Sequence, residues 1–332
     1  MDFLREYFNR TWTRYFLGTT ASGLLLSRMD CDLTLWFYSH VGRSPASLKD
    51  KVVWITGSSS GIGESLAYLL ATKGCKLVLC GTRREKLLGV KNKCHSLNEK
   101  LEDKDVLALE FDMKDTEAMP GYLDTVLRRF GKIDILVNNA GRTQRAAFED
   151  TELEVDKEMF EVNVFGLIRL TRLVLKHWYD TNFPGQIAVT SSVAGKFGAP
   201  YSCTYTATKH ALHGYFEALR NESFCRGIRI TMICPGPVVS EITERAYTAN
   251  IDRKWGKKHA ADEKRMPTDR CAYLMGVAIA NKLDEAWISP HPILSIFYFS
   301  QYMPSFTRCL FPRIMTKDRI MKMRDGKDEL NK

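Results

Sequence analysis

Tyr205 and Lys209 stand four residues apart in Tyr-Thr-Ala-Thr-Lys, and Ser192 lies thirteen residues upstream of the tyrosine. On a helix that spacing sets a phenol and an ammonium side by side on one face. A free phenol, with a pKa of about 10, exchanges protons poorly at neutral pH. A cation a few ångströms away favours the phenolate and brings the group toward the working range. Such pairs arise by chance in many chains. This one gains meaning from a glycine-rich turn upstream that can hold a dinucleotide.

The turn reads Thr56-Gly57-Ser58-Ser59-Ser60-Gly61-Ile62-Gly63 and joins a β-rich run to a helical pattern. Glycines permit the tight bend and a close backbone approach, and a helix N-terminus offers free amides to a pyrophosphate. Gly57, Ser59, Ser60, Gly61, Ile62 and Gly63 are therefore the expected phosphate contacts. After the second strand comes Gly81-Thr82-Arg83-Arg84. An acid there would bind a ribose 2′-hydroxyl and repel a 2′-phosphate, whereas a guanidinium engages a phosphate bidentately. With no acid and two arginines, NADP is expected over NAD, unless Arg83 and Arg84 simply open an exposed helix. Asp112 and Met113 follow the third strand, where an adenine would sit. Asn139, Ala140 and Gly141 end the fourth, where small residues let the chain pass a bound dinucleotide. Each could be an ordinary turn, but consecutive strand ends are where ligands bind in open α/β sheets.

The elements that must position these residues are legible as alternating patterns. Apolar β-rich runs at 52–56, 76–80, 106–111, 133–137, 186–190 and 228–234, with a short last one at 286–289, alternate with helical patterns at 62–73, 85–98, 119–130, 153–179 and 202–225. Near-continuous apolar strands separated by helices predict a parallel sheet covered on both faces. The expected architecture is α/β: one doubly wound parallel-sheet domain of Rossmann type over residues 48–290, flanked by extensions at 1–47 and 291–332. The substrate pocket is expected from the loops at 195–200 and 242–265.

Both extensions suggest membrane association. Leu4, Phe8, Trp12 and Tyr15 share one helical face, with Arg10 and Arg14 opposite. That pattern fits a helix lying in a membrane interface, or an arm packed on its own domain or a partner. The uncharged stretch at 15–27 is shorter than the roughly 20 apolar residues of a spanning helix. Residues 287–307 carry no Lys, Arg, Asp or Glu, and 293–303 reads as a pocket cover or a monotopic membrane contact. Basic residues near the ends, Lys317, Arg319, Lys322 and Arg324 among them, suit an anionic membrane surface.

Composition narrows the classes further. The net charge of +9 comes with no nucleic-acid motif, so nucleic acid is not an expected partner. Nine cysteines, an odd number with no Cys-x-x-Cys pair, argue against a disulfide framework and a zinc site. Seven histidines show no ligand spacing, and no metal is expected.

Taken in order, Thr56–Gly63, Asn138-Asn139-Ala140-Gly141, Ser192, the Tyr205/Lys209 pair and Pro235-Gly236 resemble the short-chain dehydrogenase/reductase superfamily over about residues 48–290. The glycine spacing resembles its single-domain branch. Asp32-Leu33-Thr34-Leu35 and Gln301-Tyr302-Met303-Pro304 carry a closer resemblance into both ends. The resemblance implies that Tyr205 exchanges the proton with a carbonyl or alcohol oxygen while the nicotinamide exchanges hydride. It implies that Ser192, chosen over Ser191 by its distance from Tyr205, binds that substrate oxygen. Lys209 would hold the nicotinamide ribose and lower the Tyr205 pKa, and Asn163 would position a proton-relay water. Pro235, Gly236, Val238 and Ser240 would border the nicotinamide. Relatives of this kind reduce lipophilic carbonyls such as steroids and retinals on the endoplasmic reticulum membrane; pairing into a homodimer or tetramer is common in the superfamily, and its membrane-associated members vary. This chain departs in its short N-terminal apolar stretch, broken by Gly18 and Gly23, and its Lys327-Asp328-Glu329-Leu330 is not terminal. The expectation is thus an NADPH-dependent carbonyl reductase or alcohol dehydrogenase. The rivals are a catalytically silent NADP-binding scaffold and an NAD-dependent oxidative enzyme.

Overall fold

The computed structural model describes residues 28–256 and 265–314. The amphipathic N-terminal segment, the basic residues 317–324 and the Lys327–Leu330 stretch lie outside them. Seven parallel strands form one sheet: β1 (Val52–Ile55), β2 (Lys76–Gly81), β3 (Val106–Glu110), β4 (Ile135–Asn138), β5 (Gln186–Thr190), β6 (Arg229–Pro235) and β7 (Glu285–Ile288). Their spatial order is β3-β2-β1-β4-β5-β6-β7. The chain reverses its direction of travel between β1 and β4, which opens a crevice at the carboxyl ends of those strands.

Side-chain alternation divides the interior into two layers, as a sheet covered on both faces requires. From β1 and β2, Val53, Ile55, Leu77 and Leu79 face one layer, and Trp54, Val78 and Cys80 face the other. The first layer is closed by α2 (Gly61–Thr72), α3 (Arg84–Leu97) and α8 (Thr268–Ala280). The second is closed by α4 (Met119–Phe130), α6 (Gly166–Asp180) and α7 (Cys203–Ser223). Trp178 of α6 is fully buried there and donates its indole N–H to the Ile133 carbonyl at 2.8 Å. All nine cysteines are free; Cys225 and Cys309 are exposed, and Cys31, Cys75, Cys80, Cys94, Cys234 and Cys271 are buried.

Two features depart from the sequence reading. The helix expected as one piece over 153–179 is α5 (Leu153–Phe160) and α6 joined by a π-helical turn, Glu161–Phe165. The irregular lead contains α1 (Leu33–Val41), capped by Asp32, whose Oδ1 accepts the Leu35 N–H at 2.9 Å. Asp32 Oδ2 also accepts the Trp287 N–H of β7 at 2.6 Å, and Cys31 and Leu35 join the first layer.

The apolar stretch after β7 forms α9 (Ile293–Tyr302) and α10 (Pro304–Ile314). Leu294 and Phe297 turn inward, with Phe297 stacked 5.1 Å from Trp287. Phe299, Tyr302, Met303 and Phe306 face outward. Among the described residues, no helix is long and apolar enough to cross a membrane.

Candidate active site

A cleft of about 780 Å³ runs along the carboxyl edge of the sheet. At its centre lies the glycine turn. Gly57 has φ +66, in the left-handed region, and a Cβ there would come 2.7 Å from Ala140 Cα. A Cβ on Gly63 would come 2.4 Å from the Gly57 carbonyl oxygen and 2.5 Å from Asn139 Nδ2. The turn is pressed between α2 and the chain leaving β4, which leaves no room for side chains. Asn139 braces it, donating to the Thr56 and Gly57 carbonyls at 3.1 and 3.2 Å. The first amides of α2 have no intrahelical partners. Ser60, the N-cap, makes no side-chain cap bond. A tight glycine cradle beneath a helix N-terminus fits a pyrophosphate.

Of the residues singled out from sequence, Gly57, Ser59, Ser60, Gly61, Ile62, Asp112, Met113, Asn139, Ala140, Gly141, Ser192, Tyr205, Lys209, Pro235, Gly236, Val238 and Ser240 line this cleft. Four stand differently. Gly63 sits behind the turn, giving α2 its close approach. Arg83 reaches the turn from the end of β2, donating to Ser60 Oγ at 3.0 Å. Arg84 opens α3 in an exposed position outside the cleft lining. Asn163 lies in the π-helical turn, fully buried behind Gly141.

The Asn163 side chain is hydrogen-bonded to its protein neighbours. Its Oδ1 accepts the Arg142 N–H at 2.7 Å, and its Nδ2 donates to the Arg142 carbonyl at 2.9 Å and to Thr208 Oγ1 at 3.1 Å. The amide is committed to holding the chain that leaves β4.

Ser192, Tyr205 and Lys209 converge on one stretch of the cleft. Ser192 follows β5 and accepts the Ala194 N–H at 3.2 Å, which fixes its hydroxyl at the start of a short 3-10 turn. Tyr205 and Lys209 lie on consecutive turns of α7. The lysine Nζ is 5.7 Å from the phenol ring centre and donates to the Thr190 carbonyl at 2.8 Å.

The expected lowering of the Tyr205 pKa by Lys209 is not what this site shows. Burial raises the phenol above its ordinary value, and the Ser192 hydroxyl and the Arg145 guanidinium oppose it only in part. Burial also brings Lys209 down to about 8.

Several residues in and behind the site escaped sequence reasoning. Arg142 and Arg145 line the cleft just beyond Gly141. His213 is buried and its Nε2 lies 3.1 Å from Ser191 Oγ; burial pushes the imidazole down to about 3, so it is neutral. It continues the four-residue spacing of Tyr205 and Lys209, a signal that could have found it. Beyond Ser192 the wall turns apolar, with Val193, Phe197, Ala199, Pro200, Pro292, Ile293, Ile296 and Phe311. Of the loops expected to shape the pocket, Phe197, Ala199 and Pro200 and then Ile242, Thr243, Arg245 and Arg265 line it, while 257–264 lie outside the described residues; Ile293 and Ile296 add a wall from α9, as the pocket-cover reading of 293–303 expects.

A family model described as short chain dehydrogenase matches residues 51–250. The chain is 41% identical over 303 residues to dehydrogenase/reductase SDR family member 7 of Mus musculus, covering 91% of this chain and 88% of that one. The Homo sapiens counterpart is 42% identical over the same share of each chain. Dehydrogenase/reductase SDR family member 7B of Rattus norvegicus is 32% identical over 292 residues, 87% of this chain and 86% of that one. Among solved structures, a short chain dehydrogenase/reductase from Burkholderia phymatum in complex with NAD superposes with a TM-score of 0.67 at 24% identity, covering 79% of this chain and 96% of that one. Levodione reductase superposes with a TM-score of 0.65 at 24% identity, over 74% and 99%.

Proposed function

This chain belongs to the short-chain dehydrogenase family, and from that membership we propose that it is an NADPH-dependent carbonyl reductase, or alcohol dehydrogenase in reverse, acting on lipophilic carbonyls of steroid or retinal kind. The observation that carries the reading is the composition of one continuous cleft. A glycine cradle with Arg83 beside it lies in one part, Ser192, Tyr205 and Lys209 share another, and an apolar wall completes it.

A reduced nicotinamide bound in the cleft supplies the hydride. The protein's part is to place and polarise the carbonyl and to hold the proton. Ser192 donates to the substrate oxygen and stabilises the charge that gathers there as the carbonyl is reduced. Tyr205 gives that oxygen its proton. A phenol is protonated at pH 7, the state a reductive proton donor needs. Lys209, between Thr190 and Gly141, is placed to hold ribose hydroxyls; a Cβ on Gly141 would come 3.6 Å from its Nζ. The apolar wall favours a substrate that leaves little polar surface unpaired.

Arg83 at the end of β2, with no acid in Gly81–Arg84, supports NADP. One observation favours the NAD-dependent reading instead: the carboxylate of Glu241 already sits on Arg83, 3.3 Å away. The outward aromatic residues of α9 and α10, together with the basic residues beyond them in sequence, support attachment to the endoplasmic reticulum membrane.

The test is turnover of steroid, retinal and quinone substrates, followed by NADPH absorbance. Tyr205→Phe should lower kcat by about 10²–10⁴-fold while the NADPH Kd stays within about twofold. Undiminished turnover would remove Tyr205 from the chemistry. A wild-type chain that binds NADPH tightly yet turns over none of the panel is the silent scaffold.

A further inference from the structure

We propose that Glu241 is a cofactor-specificity residue: its carboxylate occupies the cationic pocket that would take a ribose 2′-phosphate and competes with that phosphate for it. This rests on the reading of the cleft as a dinucleotide site, and it adds a residue that faces the adenosine end from the loop after β6.

Three cations surround the one carboxylate. Arg245 Nη2 lies 2.6 Å from Glu241 Oε2, Lys86 Nζ lies 2.9 Å from both oxygens, and Arg83 Nη1 lies 3.3 Å from Oε2. The cluster thus has two positive charges in excess, three cations less one carboxylate. A phosphate monoester carries roughly −1.5 to −2 at neutral pH and offers three acceptor oxygens. It therefore matches the pocket better than a carboxylate does. Lys86 foremost, with Arg83 and Arg245, holds Glu241 below the usual carboxylate range, so the competitor is ionised at pH 7.

The position belongs to the dinucleotide end of the cleft. The second arm of Arg83 donates to Ser60 Oγ in the glycine turn. A Cβ on Gly61 would come 3.2 Å from Ser240 Cβ, so the residue before Glu241 rests on that turn. The loop is fixed on either side of the carboxylate. Val239 N–H donates to the Met266 carbonyl at 3.0 Å, and Tyr247 N–H to the Thr143 carbonyl at 2.9 Å. Glu241 is held against its three partners, and a 2′-phosphate must displace it. A dinucleotide with a free 2′-hydroxyl has no anion to set against it. The chain therefore discriminates less sharply for the 2′-phosphate than Arg83, Lys86 and Arg245 alone would.

The experiment is calorimetric binding of 2′,5′-ADP, 5′-AMP, NADPH and NADH to the full chain and to Glu241→Gln at about 0.1 M salt, with thermal melts to confirm folding. Gln keeps the shape and removes the charge. The variant should bind 2′,5′-ADP and NADPH about five- to tenfold more tightly, with 5′-AMP and NADH within about twofold, and the gain should shrink at higher salt. A second variant, Arg245→Gln, should weaken 2′,5′-ADP and leave 5′-AMP alone. A 2′,5′-ADP affinity in Glu241→Gln that is unchanged or weaker, or an equal gain for 5′-AMP, overturns the proposal. The wild-type ratio of NADPH to NADH affinity tests the NADPH reading separately. A wild-type chain that prefers NADH would end that reading, yet a Glu241→Gln chain shifted toward NADPH would still uphold the inference.

Discussion

The surroundings of Lys209 bring its titration close to neutral pH. Burial lowers it from an ordinary 10.5 to about 8. Below that pH the ammonium proposed to bind ribose hydroxyls is present; above it the neutral amine offers fewer donors and no charge. The value of kcat/KM for the dinucleotide should therefore be flat at lower pH and fall above pH of about 8. A profile that stays flat to pH 10 would remove Lys209 from this role. The stability effect has the opposite sign. A lysine whose folded pKa is depressed makes the unfolded chain the stronger proton binder between about 8 and 10.5, so its contribution to stability improves as pH rises through that window. Unfolding driven by this residue cannot account for the falling limb. The Tyr205/Lys209 spacing was legible because helical geometry puts i and i+4 together whatever surrounds them. The pKa of Tyr205 was not, because burial depends on residues far away in sequence.

At the scale of elements, the join between α5 and α6 shows what periodicity cannot reveal. A π turn inserts one extra residue per turn without changing the apolar pattern much, so 153–179 reads as a single helix. Gly166, the first residue of α6, is what lets this bend lie against the cleft. A Cβ there would come 2.2 Å from the Met113 carbonyl oxygen and 2.9 Å from its carbon. Alanine would raise helix propensity by about 1 kcal/mol. The clash is with backbone, which cannot swing aside, and overpacking of this kind costs about 1–3 kcal/mol. Gly166→Ala should therefore lower the urea midpoint of unfolding and weaken dinucleotide binding through Met113. A raised midpoint would show that the close approach is not constraining. The central strands β1, β4 and β5 were legible because each is buried along its whole length and reads as a mainly apolar run. Helix α8 was not recognised for the same reason: nine of its residues, Cys271 and Leu274–Ala280 among them, are buried, and a helix apolar all round has no amphipathic period.

For the molecule as a whole, α1, α9 and α10 place aromatic and aliphatic side chains outward. Phe37 is 54% exposed and Tyr302 75%. Leu33 N–H donates to the Tyr298 hydroxyl at 2.9 Å, so α1 and α9 meet. Residues from the two ends of the chain therefore contribute to neighbouring surface, which sequence separation concealed. If α9 and α10 rest on a bilayer, the double change Tyr302→Glu and Phe306→Glu should release the protein from carbonate-washed microsomes and reduce its sedimentation with anionic vesicles. Unchanged retention would exclude these helices as the contact.

The sulfur atoms carry a consequence of the two-layer interior. Burial pushes the thiols of Cys75, Cys80, Cys94 and Cys271 up to about 12, and the thiolate is the reactive form. An alkylating reagent at neutral pH therefore finds Cys225 and Cys309 readily accessible in the native chain. Cys31, Cys75, Cys94 and Cys271 become available when one side of the sheet opens, and Cys80 when the other does. The chain carries its own mass-spectrometric ruler for telling a breach of one layer from collapse of both.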